Sequence, residues 1–389
     1  FNGDTKLTDQ LKYSFIMPAE DITYTAKWKI SDEMLNFKFT STETTCEITS
    51  IIDKAVTEII VPNYVTLICE SAFSECSSLK QIVLPFVGGS VKTATETYQY
   101  PFGYIFGRFG YTGGTATSQY YYGPNTNELV SNSYYIPSTL RSVTITGGNI
   151  LSGAFYGCWG LTDITLPNDI TAIGGMAFRN CVNLKAITLP NSIVSIGNGA
   201  FSGCESLSGI EIPASVTSIG SQTFRDCYAI TNLTIPYGVT SIGSSAFDGC
   251  VKLTNITLPD SITVIGNMAF ANCLELKSIR LPNGLTSISS YLFDGDRYLT
   301  SIVIPSSIKT VQINAFEDCY YLGSVYYSGT AEDWASISIA SGNEYFSWSA
   351  RYYYSKNNPF EDGTVTEGNY WYYGESGEII HWKHDNEEG

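Results

Sequence analysis

Residues 184–204 read Leu184-Lys-Ala-Ile187-Thr-Leu189-Pro190-Asn-Ser-Ile193-Val-Ser-Ile196-Gly197-Asn-Gly-Ala200-Phe201-Ser-Gly-Cys204, and the following block restates them. The Phe slot returns at Phe155, Phe178, Phe201, Phe224, Phe247, Phe270, Phe293 and Phe316, 23 residues apart each time, with an earlier copy at Phe73. A fixed period of roughly 20 to 29 residues, with Leu and Ile at constant offsets, is the signature of a leucine-rich solenoid. Each repeat is one coil, unable to bury its apolar side without its neighbours.

The slots within a coil have physical readings. In Leu-x-x-Ile-x-Leu-Pro, the Ile and the second Leu point inward with period 2 and the residue between them points out, so stacked coils build a narrow parallel sheet. Pro190 and its equivalents cannot donate to the ladder and mark where pairing stops. The Ile-Gly step opens another side of the coil, its Gly supplying either a positive φ or close packing. The repeat Phe fills the interior, each ring contributing on the order of 1.5 to 3 kcal/mol by burial. Cys76, Cys158, Cys181, Cys204, Cys227, Cys250, Cys273 and Cys319 all lie three residues after the Phe, and Asp296 takes that slot once. Such a thiol ladder reads first as buried small apolar groups. Disulfides need side chains that converge, and no Cys-x-x-Cys or clustered His points to a metal.

Along the chain, residues 1–30 form two alternating runs around Pro18-Ala19-Glu20-Asp21, a pair of strands. Residues 31–56 read as a hairpin that caps the first coil. The solenoid covers 57–327 in about nine coils, the number of repeats that can be read at that period. It is interrupted at 86–135 by a segment rich in Gly, Thr and Tyr. Aromatic density there argues against disorder. Residues 328–389 form the second cap: Thr330, followed by acids and Trp334, N-caps a short helix, Arg351–Tyr354 is a strand, and 370–382 is a hairpin. The fold class expected is therefore a β-rich, right-handed leucine-rich-repeat solenoid with narrow parallel sheets and hairpin caps.

Composition limits the function. The chain carries 37 acidic and 21 basic residues, a net charge of -16, which disfavours nucleic acid and anionic membrane surfaces as partners. No apolar run is long enough to span a bilayer. The chain starts at Phe1 with no initiator Met, as a piece of something longer would. His381 and His384 are the only histidines, and no nucleophile, carboxylate pair or metal-ligand set surrounds them. No catalytic residue, cofactor or metal is expected.

The motif Leu-x-x-Ile-x-Leu-Pro-x-x-Ile-x-x-Ile-Gly-x-x-Ala-Phe-x-x-Cys resembles the 23-residue leucine-rich repeat of the BspA-like family of bacterial surface and secreted proteins. Met17-Pro18-Ala19, Asp21, Ala26 and Trp28 resemble the closing half of a Listeria-Bacteroides repeat. The resemblance implies an extracellular or cell-surface location, adhesion to a host matrix protein or glycan, and no catalytic residues. The chain is expected to act as a monomer. A structural spacer that projects other domains and a carbohydrate-binding accessory module are the alternatives.

Two sets of residues escape the packing slots. The outward strand position runs Thr165, Thr188, Glu211, Thr234, Thr257, Arg280, Val303, Tyr326. It is either a strand-favoured choice on a solvated face or a row of hydroxyls offered to a partner. The insertion brings Tyr104, Tyr111, Tyr120, Tyr121 and Tyr122, rigid amphipathic contact area at low entropic cost, with self-packing over the flank as the other reading. If it binds, deleting 86–135 weakens binding.

Overall fold

The computed structural model describes residues 37–41, 46–90, 100–122, 129–361, 365 and 368–383. The N-terminal Listeria-Bacteroides-like segment and His384 lie outside them.

Stacked coils pair like with like. Asn232, Leu233 and Thr234 pair in parallel with Asn255, Ile256 and Thr257, and Ser278–Arg280 pairs with Ser301–Val303. In the three-residue strands Asp163–Thr165, Asn232–Thr234 and Asn255–Thr257 the middle residue is buried and its neighbours are exposed. The Ile of the Ile-Gly step forms a second ladder, Ser218–Ile219 on Ser241–Ile242 on Val264–Ile265. The described residues carry about thirteen rungs, more than the nine that the period shows. The surplus lies mainly at the C-terminal end. There Ala350–Tyr354 and Tyr370–Tyr373 continue the parallel sheet without the Leu and Pro signature, and Ile379–His381 closes it in antiparallel pairing. At the other end the Phe37–Ser41 and Cys46–Ile51 hairpin feeds the second ladder through Leu67–Ile68.

The core is a column of rings. From Phe155 to Phe316 successive phenyls stack with centroids 5.3 to 5.8 Å apart and planes within 20°, the offset-stacked geometry that aromatic pairs favour. Phe346 extends the column at 4.5 Å. Between Phe73 and Phe155 the insertion supplies the missing rings. Phe106 meets Phe73 at 6.4 Å, Phe102 meets Phe106 at 5.3 Å, and Phe155 follows at 5.0 Å. The described part of the insertion therefore belongs to one enlarged coil, whose strand Gln81–Leu84 pairs directly with Ser142–Ile145.

The Ile-Gly glycine works by close packing. A Cβ at Gly266 would sit 2.5 Å from the Ser244 nitrogen of the preceding coil, and one at Gly243 would collide with the Ser221 nitrogen. Gly243→Ala should therefore push two coils apart and cost roughly 1 to 3 kcal/mol, the overpacking range. A urea midpoint equal to that of the parent would refute it. Left-handed residues fall instead two places before the Phe, as at Gly199, Gln222 and Ser245, and two places after it, where Gly and Asn or Asp alternate: Asn180, Gly203, Asp226, Gly249, Asn272, Gly295, Asp318. Each side chain fills the space that the next coil's Cβ would need. The Asp226 and Asn272 oxygens would lie 2.5 and 2.6 Å from a Cβ at Gly249 and Gly295.

The described ladder cysteines are free. Cys204, Cys227 and Cys250 each donate the thiol proton to the Phe carbonyl of the coil before, at 3.2 Å. Burial pushes the Cys181 thiol up to about 12, so these groups are packing elements rather than nucleophiles.

Candidate binding surface

The insertion folds as a short 3-10 turn, Phe102–Ile105, and an antiparallel hairpin, Gly114–Tyr122 on Leu129–Pro137. Period-2 alternation turns Thr117, Gln119 and Tyr121 inward with Tyr134 and Ile136, all buried. Gln119 anchors the hairpin. Its Oε1 accepts from the Gly103 N–H, while its Nε2 donates to the Tyr156 carbonyl at 3.0 Å and to Cys158 Sγ at 3.3 Å. Gly153 lets the Tyr120 carbonyl approach where a Cβ would block it. Gln119→Leu leaves the Gly103 N–H buried and unpaired, at a cost of about 1 to 2 kcal/mol. Limited proteolysis should then cut first between residues 86 and 135; an unchanged digestion pattern would contradict this anchoring role.

The insertion's tyrosines are mostly spent on this packing. Tyr104 and Tyr121 are buried, which withdraws them from any contact surface. Tyr111 is half-buried, with its hydroxyl enclosed and without a hydrogen-bond partner; burial pushes its phenol up. Tyr120 is half-buried against Tyr156, 4.5 Å away. The Tyr122 side chain lies outside the described residues. The space between hairpin and solenoid, lined by Thr115, Ile136 and Trp159, holds about 50 Å³, well below the roughly 300 Å³ at which ligand pockets begin. Among its large apolar side chains the insertion exposes Phe109 most, at 86%, with Leu129 and Val130 also exposed.

The outward stripe is shorter than the spacing implies. Thr188, Glu211, Thr234 and Thr257 are exposed. Arg280 lies against Asp260 at 3.1 Å, and that bonded carboxylate is held below its ordinary range although burial opposes the shift. Val303 and Tyr326 are buried beneath Trp371 of the C-terminal hairpin. The Tyr326 hydroxyl is 2.9 Å from His381 Nε2, and the Trp371 indole N–H donates to the Tyr327 carbonyl at 3.2 Å. Tyr326 is therefore part of the cap's own core, and His381 is its partner.

A third surface was not singled out by the sequence. The two positions after the cysteine slot form a coil corner, occupied by Leu274-Glu275, then Arg297-Tyr298, then Tyr320-Tyr321. Tyr298 and Tyr321 stack at 5.7 Å and 7°. The Arg297 guanidinium lies over Tyr320, 5.9 Å from its centroid. Tyr345 meets Tyr320 edge-on at 5.2 Å and Trp348 at 5.8 Å. Tyr298, Tyr320, Tyr321 and Trp348 remain 54, 46, 61 and 74% exposed. An acidic row flanks them: burial and the charges of Glu317, Asp318 and Asp248 push the Asp294 carboxyl up to about 6. The hydrogen bond to Asp318 pushes the Tyr320 phenol up. Aromatics at these two slots in consecutive late coils were the available signal.

Among the described residues no group of three His, Cys, Asp or Glu side chains could hold a metal, and no helix is long and apolar enough to cross a membrane. Three solved structures illustrate what the chain is similar to. A leucine-rich cell surface protein from Faecalibacterium prausnitzii A2-165 shares 23% identity over 79% of this chain and 97% of that one, with a TM-score of 0.40. The leucine-rich repeat protein of T. pallidum shares 21% over 74% and 88%, TM-score 0.36. One from Bacteroides ovatus shares 20% over 78% and 97%, TM-score 0.37. No curated protein matches the sequence. The BspA type leucine rich repeat region matches in six copies, over residues 34–96, 148–253 and 217–341. With its 23-residue coils and the Phe155–Phe316 stack inside those spans, the chain belongs to the BspA-type leucine-rich repeat family.

Proposed function

We propose that the chain is a non-catalytic binding module of a bacterial cell-surface or secreted protein, an adhesion-type domain that contacts a host matrix protein or glycan. One observation carries the reading. The repeat's own slots are consumed by packing, turning and pairing, yet four large aromatic side chains stand about half exposed or more on one corner. They are held there by ring and cation–π contacts. Rigid Tyr and Trp side chains give contact area at low entropic cost. Family membership supports the reading, since a leucine-rich solenoid offers long repeated faces to partners.

The test is a binding screen of the soluble chain against immobilised fibronectin, fibrinogen and mucin together with a glycan array. Saturable binding to at least one is expected. No binding to any would favour the spacer reading instead. Deletion of 86–135 is unsuitable for mapping, because it removes Phe102 and Phe106 from the core column; exposed single sites such as Phe109 serve better.

A further inference from the structure

The aromatic corner can be assigned a ligand class from its chemistry. Tyr298 and Tyr321 occupy equivalent places in successive coils, so their rims and hydroxyls recur along the solenoid axis with the coil repeat. Tyr320, Tyr345 and Trp348 form a second row beside them, fixed by edge-to-face contacts and by Arg297. These rings are too exposed to line a cleft. Protein hot spots centre on anchors in well-packed pockets, and this corner offers none to a protein side chain. A pyranose needs less: a flat ring for its C–H face and a nearby donor or acceptor for its hydroxyls. Tyr and Trp supply both, being apolar in the body and polar at one end.

Charge narrows the class. Asp318 hydrogen-bonds Tyr320 and is one of a carboxylate group with Asp294 and Glu317, and Glu275 holds the Tyr298 slot one coil earlier. Of the cations there, Arg297 already lies over Tyr320, Arg351 lies over Trp334 and donates to the Ser347 carbonyl, and the chain as a whole carries -16. A sulfated, sialylated or uronic-acid polymer would meet like charge. We propose that the corner formed by Tyr298, Tyr320, Tyr321, Tyr345 and Trp348 binds a neutral glycan, its sugar rings lying along the coil axis. The inference rests on the binding-module reading and gives it a site and a ligand class.

The experiment is native affinity electrophoresis of the full chain through gels containing β-glucan, galactomannan or mannan, with heparin and hyaluronan as acidic polymers and immobilised fibronectin as the protein probe. Retardation by at least one neutral polysaccharide is expected. The double variant Trp348→Ala with Tyr321→Ala should weaken it about tenfold or more, since it removes one ring from each row. Trp348→Phe should retain most of it, and Phe109→Ser should not alter it. All three side chains removed or altered are exposed, and equal thermal melting of the variants and the parent shows that the fold is kept. No retardation by any neutral polysaccharide, undiminished retardation of the double variant, or binding to heparin or fibronectin alone overturns the glycan assignment. Binding of fibronectin alone leaves the binding-module reading standing, whereas failure of every probe removes both.

Discussion

Phe224→Ala is expected to cost roughly 3 to 5 kcal/mol, the range for truncating a fully buried ring, and to split unfolding into two transitions. Phe224 is stacked at 5.6 Å on both Phe201 and Phe247, with planes within 8°. Its backbone is held independently: the Phe224 N–H donates to the Ala246 carbonyl at 2.8 Å, and the Phe201 N–H to the Thr223 carbonyl at 2.9 Å. Those rung bonds fix the neighbouring coils at their spacing, so the cavity cannot close by collapse. In a solenoid each coil touches only its neighbours, and stability is a sum of coil and interface contributions. Weakening one interface near the middle therefore uncouples the two halves. Urea unfolding followed by tryptophan fluorescence and by amide exchange should separate them, because Trp334 and Trp371 lie C-terminal of the break and Trp159 N-terminal of it. A single transition at the parent midpoint would mean that Phe224 does not occupy the core column.

The periodic part of this molecule was readable because each slot has one physical duty that only a few residue types perform. The Phe column, the strand Ile, the Pro stop and the thiol ladder all lie where the spacing places them. So does the Thr330 cap, whose side chain accepts from the Asp333 N–H while Asp333 reaches back to the Thr330 N–H. The Gly of the Ile-Gly step left two readings open, and only the distance to the neighbouring coil separates them. The insertion was opaque for a specific reason. Its hairpin alternates correctly, but the inward residues Thr117 and Gln119 are polar, and Gln119 is satisfied by Gly103, Tyr156 and Cys158, partners distant in sequence, so no apolar period appears. Phe102 and Phe106 join the ring column from a short turn, off the 23-residue spacing. Tyr326 keeps the outward slot in sequence, yet Trp371, 45 residues further on, covers it. Contacts made between segments that do not share the period are not encoded in the period.

Asp296→Asn is expected to stabilise the chain at neutral pH by on the order of 3 kcal/mol, the scale of an uncompensated buried carboxyl. Asp296 stands in the cysteine slot and is fully buried. One oxygen accepts from the Cys273 N–H at 2.7 Å, and the other has no hydrogen-bond partner. Burial holds the carboxyl well above its ordinary range, opposed by the Cys273 bond and reinforced by the charges of Asp294 and Asp248. The sign follows from the protons. Above about pH 4 the unfolded carboxyl has lost its proton while the folded one retains it. The native state then binds more protons, and stability falls as pH rises through the carboxyl's folded-state titration. An amide keeps the acceptor for Cys273 and places an N–H₂ where neighbouring rungs place a thiol donor toward the preceding Phe carbonyl. The variant should therefore lose most of the decline with pH. A smaller decline persists near pH 6, where Asp294, pushed up to about 6 by burial and by Glu317, Asp318 and Asp248, titrates in the same sense. Urea midpoints of parent and variant should converge near about pH 4 and diverge toward about pH 8. Equal midpoints at the higher pH would show that water reaches the unpaired oxygen, and that this rung tolerates a carboxylate as readily as its neighbours tolerate a thiol.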